Sequence, residues 1–152
     1  MKDDGFSEFF TFQNMTKSNR YKQAVAANRK EALEYLASGR KLSFLCEDIR
    51  EILGVPMIET SGFRGVTLST IGGFSLTSSH TRFEALDVVP VGMSVDRAFD
   101  IIKANAIKLP NLRKAILEKV DGKEWLHIEV KTSEKYTLAF YTTIDGKNYI
   151  KV

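Results

Sequence analysis

Apolar residues recur at three- and four-residue spacing through the first third of the chain, and in short runs or at alternate positions through the last. That change of period is the main structural signal. Ser18 or Thr16 can cap a helix through Asn19–Ala27, and Asn28 with Glu31 forms a capping-box pattern that restarts or continues it. Val25, Leu33 and Leu36 carry the helical face, and Gly39 supplies a stop. A second helix is predicted from Lys41 to Leu53, with Leu42, Leu45, Ile49, Ile52 and Leu53 on one side and Gly54 after it. Together they predict a helical hairpin.

Beyond Pro56 the pattern shortens. "VPMIET" reads as a strand, since proline blocks continuation of the helix. Residues 61–79 are rich in Gly, Ser and Thr and read as a long loop, a length that is usually functional or disordered. "ALDVVPV" is the next strand, and "SVDRAFDIIKANA" a helix capped by Ser94 with Ala98, Ile101 and Ile102 on its buried side. "LPNLRKAILEKV" reads as a further helical segment. Three strand-like runs follow, "WLHIEVK", "YTLAFYTT" and "NYIKV", the last two joined by a turn at Asp145-Gly146. The expected class is α+β, a helical hairpin packed on a mostly antiparallel sheet, in one domain spanning 1–152.

Composition removes several functional classes. Hydrophobic residues at 43% and charged residues at 27% are ordinary for a soluble globular chain, and no run of eighteen apolar residues exists to span a membrane. "MKDDGFSEFF" places acids where a signal peptide carries bases, so the chain is expected to be made in the cytoplasm and to carry no leader. A net charge of +3 agrees with an anionic partner. The aromatics are not interleaved with a basic stripe, so nucleic acid is not expected to be that partner. The single cysteine, Cys46, excludes an internal disulfide and a multi-cysteine zinc site, and its apolar helical position marks it as core. "STIGGF" lacks the spacing of a phosphate loop, and no nucleophile elbow is present.

The two histidines hold the candidate chemistry. His80 ends the long loop, Asp87 lies on the strand it leads into, and His127 sits on another strand. If the two strands pair, both histidines and the aspartate can converge on one ion, and three such ligands with one open position make a catalytic zinc site. A single strand histidine is more often a satisfied core or surface residue. Asp87 in an apolar run argues harder, because a buried carboxylate needs a counter-ion or several donors. Glu124, three residues before His127, could move a proton near a metal, though "DGKEW" also fits a solvated turn. Glu118 is a second candidate, with a helical context that favours the surface. Arg64 in the Gly-rich region could hold a carboxylate or an oxyanion, or be a loop cation and nothing more.

Read together, "SGFR", "GG", "SSH" with Asp87 seven residues past His80, and "EWLH" resemble the zinc D-Ala-D-Ala carboxypeptidase family of peptidoglycan peptidases. That family includes D-alanyl-D-alanine dipeptidases and phage endolysins and shares its fold with the Hedgehog signalling domain. The resemblance spans Phe9 to Val130, and "FFTFQNMTKS" with "PMIETSGFR" is similar to its carboxypeptidase-like phage and prophage branch. It implies that His80, Asp87 and His127 bind Zn2+, that Glu124 is the catalytic base, and that Arg64 and Ser78 contact substrate. The implied reaction is attack of metal-activated water on a peptide bond of a stem peptide, one involving D-alanine, by a monomer that reaches the wall by an unidentified route. Two departures stand out. Phe83 occupies a position where the family usually has glycine; were positive φ needed there, phenylalanine would be strained, so a different loop path or a narrower pocket is expected. The branch can also place its glutamate further upstream, which makes Glu118 a rival to Glu124. A metal-containing wall-binding or phage structural module without turnover is the alternative reading, and Phe83 is the feature that favours it.

Overall fold

Helices precede the sheet in the computed structural model, which describes residues 4–152. The reading of the extreme N-terminus as leaderless falls partly on residues 1–3, outside the described residues. A short helix α1 (Phe12–Met15) is followed by α2 (Val25–Ala32), a 3-10 turn (Leu33–Tyr35) and α3 (Leu36–Leu53). Strand β1 (Met57–Ser61), helix α4 (Val66–Gly72), a 3-10 turn (Ser79–Arg82), β2 (Ala85–Pro90) and α5 (Val95–Ala104) come next. The chain closes with β3 (Leu112–Val120), β4 (Lys123–Val130), β5 (Ala139–Thr143) and β6 (Ile150–Lys151).

The six strands form one sheet in the order β1-β2-β4-β3-β5-β6. Every pairing is antiparallel except the parallel one between β3 and β5. The class is therefore α+β, with a mostly antiparallel sheet. Its inner face carries Leu86 and Val88 of β2, Ala115 and Leu117 of β3, and Leu126 and Ile128 of β4. These pack with Leu42, Leu45, Cys46 and Ile49 of α3 and Ala98 and Ile102 of α5, all inaccessible or nearly so. Each large aliphatic side chain so buried contributes about 1.5–3 kcal/mol. Among the described residues no helix is long and apolar enough to cross a membrane.

Local readings changed in five places. The two N-terminal helices do not have each other as main packing partners: α2 packs chiefly on α4, while α3 rests chiefly on α5 and β4. Gly39 does not stop a helix but lies inside α3, because its missing side chain makes room for the ring of Phe83; a Cβ there would sit 2.7 Å from Phe83 Cδ2. Gly54 is the actual stop, left-handed with φ 71° and donating to Arg50 O. Asn28 is no cap either. Its Nδ2 donates to Thr16 O and Phe63 O, each at 2.9 Å, and its Oδ1 accepts from Gly65 N at 2.7 Å. It thus pins two loops from a buried position.

The segment from Leu109 to Val120, expected to be helical, is mostly strand β3. Leu112, Ala115 and Ile116 fit a helical spacing, but the run pairs along its length with β4 on one side and β5 on the other. Asp121-Gly122, with φ 51° and 76°, forms the two-residue turn between β3 and β4. The long loop also holds structure of its own in α4. Glu31 of α2 accepts from Thr67 N and Thr67 Oγ1 and ties down the start of that helix.

Candidate metal centre

Strand register alone sets out most of the site. Ser61, Asp87, His127, Ile116 and Tyr141 stand opposite one another on successive strands, forming a row across the outer face of the sheet. His80 enters this row from the 3-10 turn before β2. Ser78 caps that turn, its Oγ accepting from His80 N at 3.2 Å. The nearest ligand atoms of His80, Asp87 and His127 all lie within 4.8 Å of one another. Asp87 Oδ1 is 3.4 Å from His80 Nε2 and 3.0 Å from His127 Nδ1. The structure therefore brings this trio together.

Each histidine has its far nitrogen engaged. Gly62 O is 2.7 Å from His80 Nδ1, which fixes that nitrogen as the N–H and turns the Nε2 lone pair toward Asp87. Glu129 Oε1 is 2.9 Å from His127 Nε2, so His127 can present Nδ1 in the same way. Glu129 is itself buried and held by Ser79 Oγ at 2.8 Å and Arg113 Nε at 3.6 Å. Two imidazole nitrogens and one carboxylate oxygen, with an outer acceptor on each ring, are the donor set and support of a catalytic zinc site. The residues present fit the metal.

Electrostatics agree with a cation-binding role. Burial opposes charge on His127, but its hydrogen bonds to Asp87 and Glu129 outweigh that and hold its pKa near 10. Burial likewise opposes charge on Asp87, and the two histidines overcome it, keeping the carboxyl below its usual range. Glu129, despite burial, is lowered to about 2 by His127 and its other donors. In the metal-free protein a protonated His127 between two carboxylates thus supplies the positive charge that an ion would bring. His80 goes the other way: burial pushes its pKa down, so it stands neutral.

The remaining candidates divide. Glu118 is on β3, opposite Trp125, on the outer face beside His127, and it is buried. Burial, then repulsion from Asp87, pushes its carboxyl up. Glu124 is not brought to the cluster. Alternation along β4 places it on the other face of the sheet from His127, exposed, 3.7 Å from a Lys119 that also binds Asp96 at 2.8 Å. Arg64 donates through its backbone N–H to His80 O and through Nη1 to Ser61 Oγ, and its guanidinium lies 4.5 Å from the Phe74 ring centre. Its Nε is buried without a hydrogen-bond partner.

Two open clefts flank the trio. One, of about 440 Å³, is lined by Arg64, Asp87 and Trp125; the other, of about 360 Å³, by Ser78, Glu118, His127 and Tyr141. Phe83 lines neither. It does adopt positive φ, 58°, so the expected change of loop path does not occur. Its ring turns into the core instead, against Phe6, Phe12 and Phe63. Sequence reasoning gave Glu129 no role. The signal was the same as for Asp87: a carboxylate inside a buried apolar strand.

A family model described as Peptidase M15 matches residues 8–122, well over half of the chain. The match takes in Arg64, Ser78, His80, Asp87 and Glu118 and ends before His127, which the sheet register alone adds. No curated protein matches the chain.

Proposed function

This chain belongs to the Peptidase M15 family, a family of metallopeptidases, and from that premise we propose that it hydrolyses a peptide bond in peptidoglycan stem peptides, one next to D-alanine. The observation that supports this best is the convergence of His80, Asp87 and His127 on the sheet face between two clefts, with the far nitrogen of each histidine already engaged. His80 Nε2, an Asp87 carboxylate oxygen and His127 Nδ1 would hold the zinc ion. When bound, zinc would polarise the scissile carbonyl and make water a competent nucleophile at neutral pH.

The protein's own groups do the rest. Glu118, raised by burial and by Asp87, accepts a proton from the attacking water and returns it to the leaving amine. A base with a raised pKa suits both halves of that task. Arg64, partly buried with an unpaired Nε, donates to the substrate or to the oxyanion that develops on its carbonyl. Ser78, whose Oγ already accepts from His80 N, offers its hydroxyl hydrogen to substrate in the second cleft. Glu124 has no part in the reaction. The alternative of a wall-binding module without turnover leaned on Phe83, and the ring of that residue lies in the core, clear of both clefts.

Metal analysis of the purified protein, followed by mass spectrometry of digested wall fragments, tests the proposal. One zinc per chain, new stem-peptide fragments and loss of both in His80→Ala are expected. A protein that holds no zinc, or a zinc-loaded one that leaves the peptides uncut, would overturn it.

A further inference from the structure

The two clefts differ in charge. Four cations, Lys17, Arg20, Arg64 and Lys123, line the first against two carboxylates, Glu59 and Asp87, and Asp87 is already engaged by both histidines. The second has a single lysine and no arginine: Lys114 faces Glu129 at 3.9 Å, and the rest of the wall includes Glu118, the metal-site His127, Tyr141 and Tyr149. Among the described residues Lys17, Arg20 and Lys123 make no ion pair, and Arg64 keeps a buried Nε without a partner. Lys17 still acts on Glu59 through space, but four cations against two carboxylates leave an excess of positive charge on a concave wall, which focuses the field into the space it encloses.

Lys17 and Arg20 are not on a loose arm. They lie on the segment between α1 and α2, and hydrogen bonds fix it at both ends. Thr16 O accepts from the buried Asn28 at 2.9 Å, and Ser18 Oγ accepts from Tyr21 N at 3.0 Å. The Arg20 guanidinium is carried 5.3 Å from the Tyr21 ring centre. A cationic wall held this way is preorganised for an anion, and its volume of about 440 Å³ exceeds what one carboxylate needs.

We propose that the cleft of Lys17, Arg20 and Arg64 receives the leaving side of the substrate, and that this side is a short acidic segment bearing at least two carboxylates. Lys17 and Arg20 are then specificity-determining residues. A peptide with a free C-terminus carries that carboxylate on the leaving side, so the cationic half of the site is the half that side enters. The acyl portion lies against Tyr141 and Tyr149. This assignment rests on the peptidase reading above, since it takes the trio as the place where the bond is cut.

The test uses zinc-loaded Glu118→Gln protein, which binds without turnover, and titrates two peptides of one sequence by calorimetry. One peptide carries two free carboxylates beyond the scissile bond; in the other both are amides. The acidic peptide is expected to bind more than tenfold tighter at low salt, an advantage that shrinks as salt screens the wall. Adding Lys17→Met or Arg20→Met should weaken the acidic peptide about fivefold each and leave the diamide and the zinc content unchanged. Equal affinity for the two peptides, or equal losses on both in the variants, would overturn the assignment. Wild-type protein separates this reading from the one it rests on. Carboxylate preference that depends on Lys17, with no cleavage of either peptide, keeps the cleft and removes the peptidase. Cleavage of both at the same kcat/KM, unmoved by the variants, keeps the peptidase and removes the cleft.

Discussion

Exchanging one carboxylate for its amide on each of two neighbouring strands discriminates between the two candidate bases. Glu118→Gln keeps shape and volume on the buried outer face but cannot accept a proton, so it removes general acid–base assistance. That assistance is typically worth 10²–10⁴ in rate, or about 2.7–5.4 kcal/mol of barrier. Glu124→Gln removes only an exposed contact at 3.7 Å from Lys119, which keeps its 2.8 Å partner Asp96. An exposed pair of that kind contributes about 0–1 kcal/mol to stability and nothing to chemistry on the other face of the sheet. Expected, then, are a kcat for Glu118→Gln lowered at least a hundredfold with KM little changed, and a kcat for Glu124→Gln within about twofold of wild type. Both are measured by chromatography of a defined stem peptide, with zinc content determined in parallel so that lost metal is not mistaken for a lost base. The reasoning fails if Glu124→Gln abolishes turnover while Glu118→Gln, still holding zinc, retains it. The register that sets Glu124 apart from His127 would then be wrong in solution.

Three other outcomes follow from the geometry. Glu59 is raised to about 7 by burial, only partly offset by Lys17, so the folded protein keeps a proton that the unfolded chain loses above its ordinary 4.5. Stability from this group is full below 4.5 and is lost as pH rises through 7, by up to about 3 kcal/mol; urea melts of Glu59→Gln should lack that component, and an identical pH slope would refute it. With His127 held near 10, the metal-free protein is protonated there at pH 7, so zinc binding should release about one proton; calorimetry in buffers of different ionisation enthalpy reads this, and no buffer dependence would contradict it. Phe83→Gly loses a fully buried ring, about 3–5 kcal/mol, and relieves about 1–2 kcal/mol of left-handed strain, so urea melts should show net destabilisation of about 2 kcal/mol and would disprove the balance by showing a gain.

What could be read in the sequence was mostly alternation, and what could not was mostly pairing. Asp87 stood out because Leu86 and Val88 on either side of it are core residues, which leaves the carboxylate facing the other way. His127 could be given a face but not a partner, since only the register Asp87↔His127 sets the two opposite one another. Strand β3 was missed for a physical reason. Leu112, Ala115 and Ile116 satisfy helical spacing as well as burial in a sheet, and short apolar runs do not separate the two periods. That error carried into the site: on a helix Glu118 would be a surface acid, whereas on β3 it faces the cleft beside His127. Gly39 misled in the opposite sense. A glycine in a helical pattern reads as a stop, but here the space it leaves is filled by a ring forty-four residues away.

That ring connects packing to chemistry. His80 and Asp87 are seven residues apart, and between them the chain passes from a 3-10 turn into a strand at Phe83. The passage needs a residue of positive φ, with Phe83 N directed at His80 O and Glu84 N donating to Ser79 O. A non-glycine residue there costs about 1–2 kcal/mol, and burial of a large apolar side chain, worth about 1.5–3 kcal/mol, offsets it. The offset exists only because Phe6, Phe12 and Phe63 surround the ring and Gly39 has nothing to put in its way. From Phe83 onward, alternation does the aiming: Ala85 and Asp87 take the outer face of the sheet, where Asp87 lines the first cleft, and Leu86 and Val88 face the core. Removing or adding one residue between Phe83 and Asp87 would turn a leucine or valine toward the histidines and bury the carboxylate among α3 and α5. A phenylalanine can therefore stand at this position without displacing His80, provided that Gly39 stays small and that the distance from Phe83 to Asp87 stays as it is.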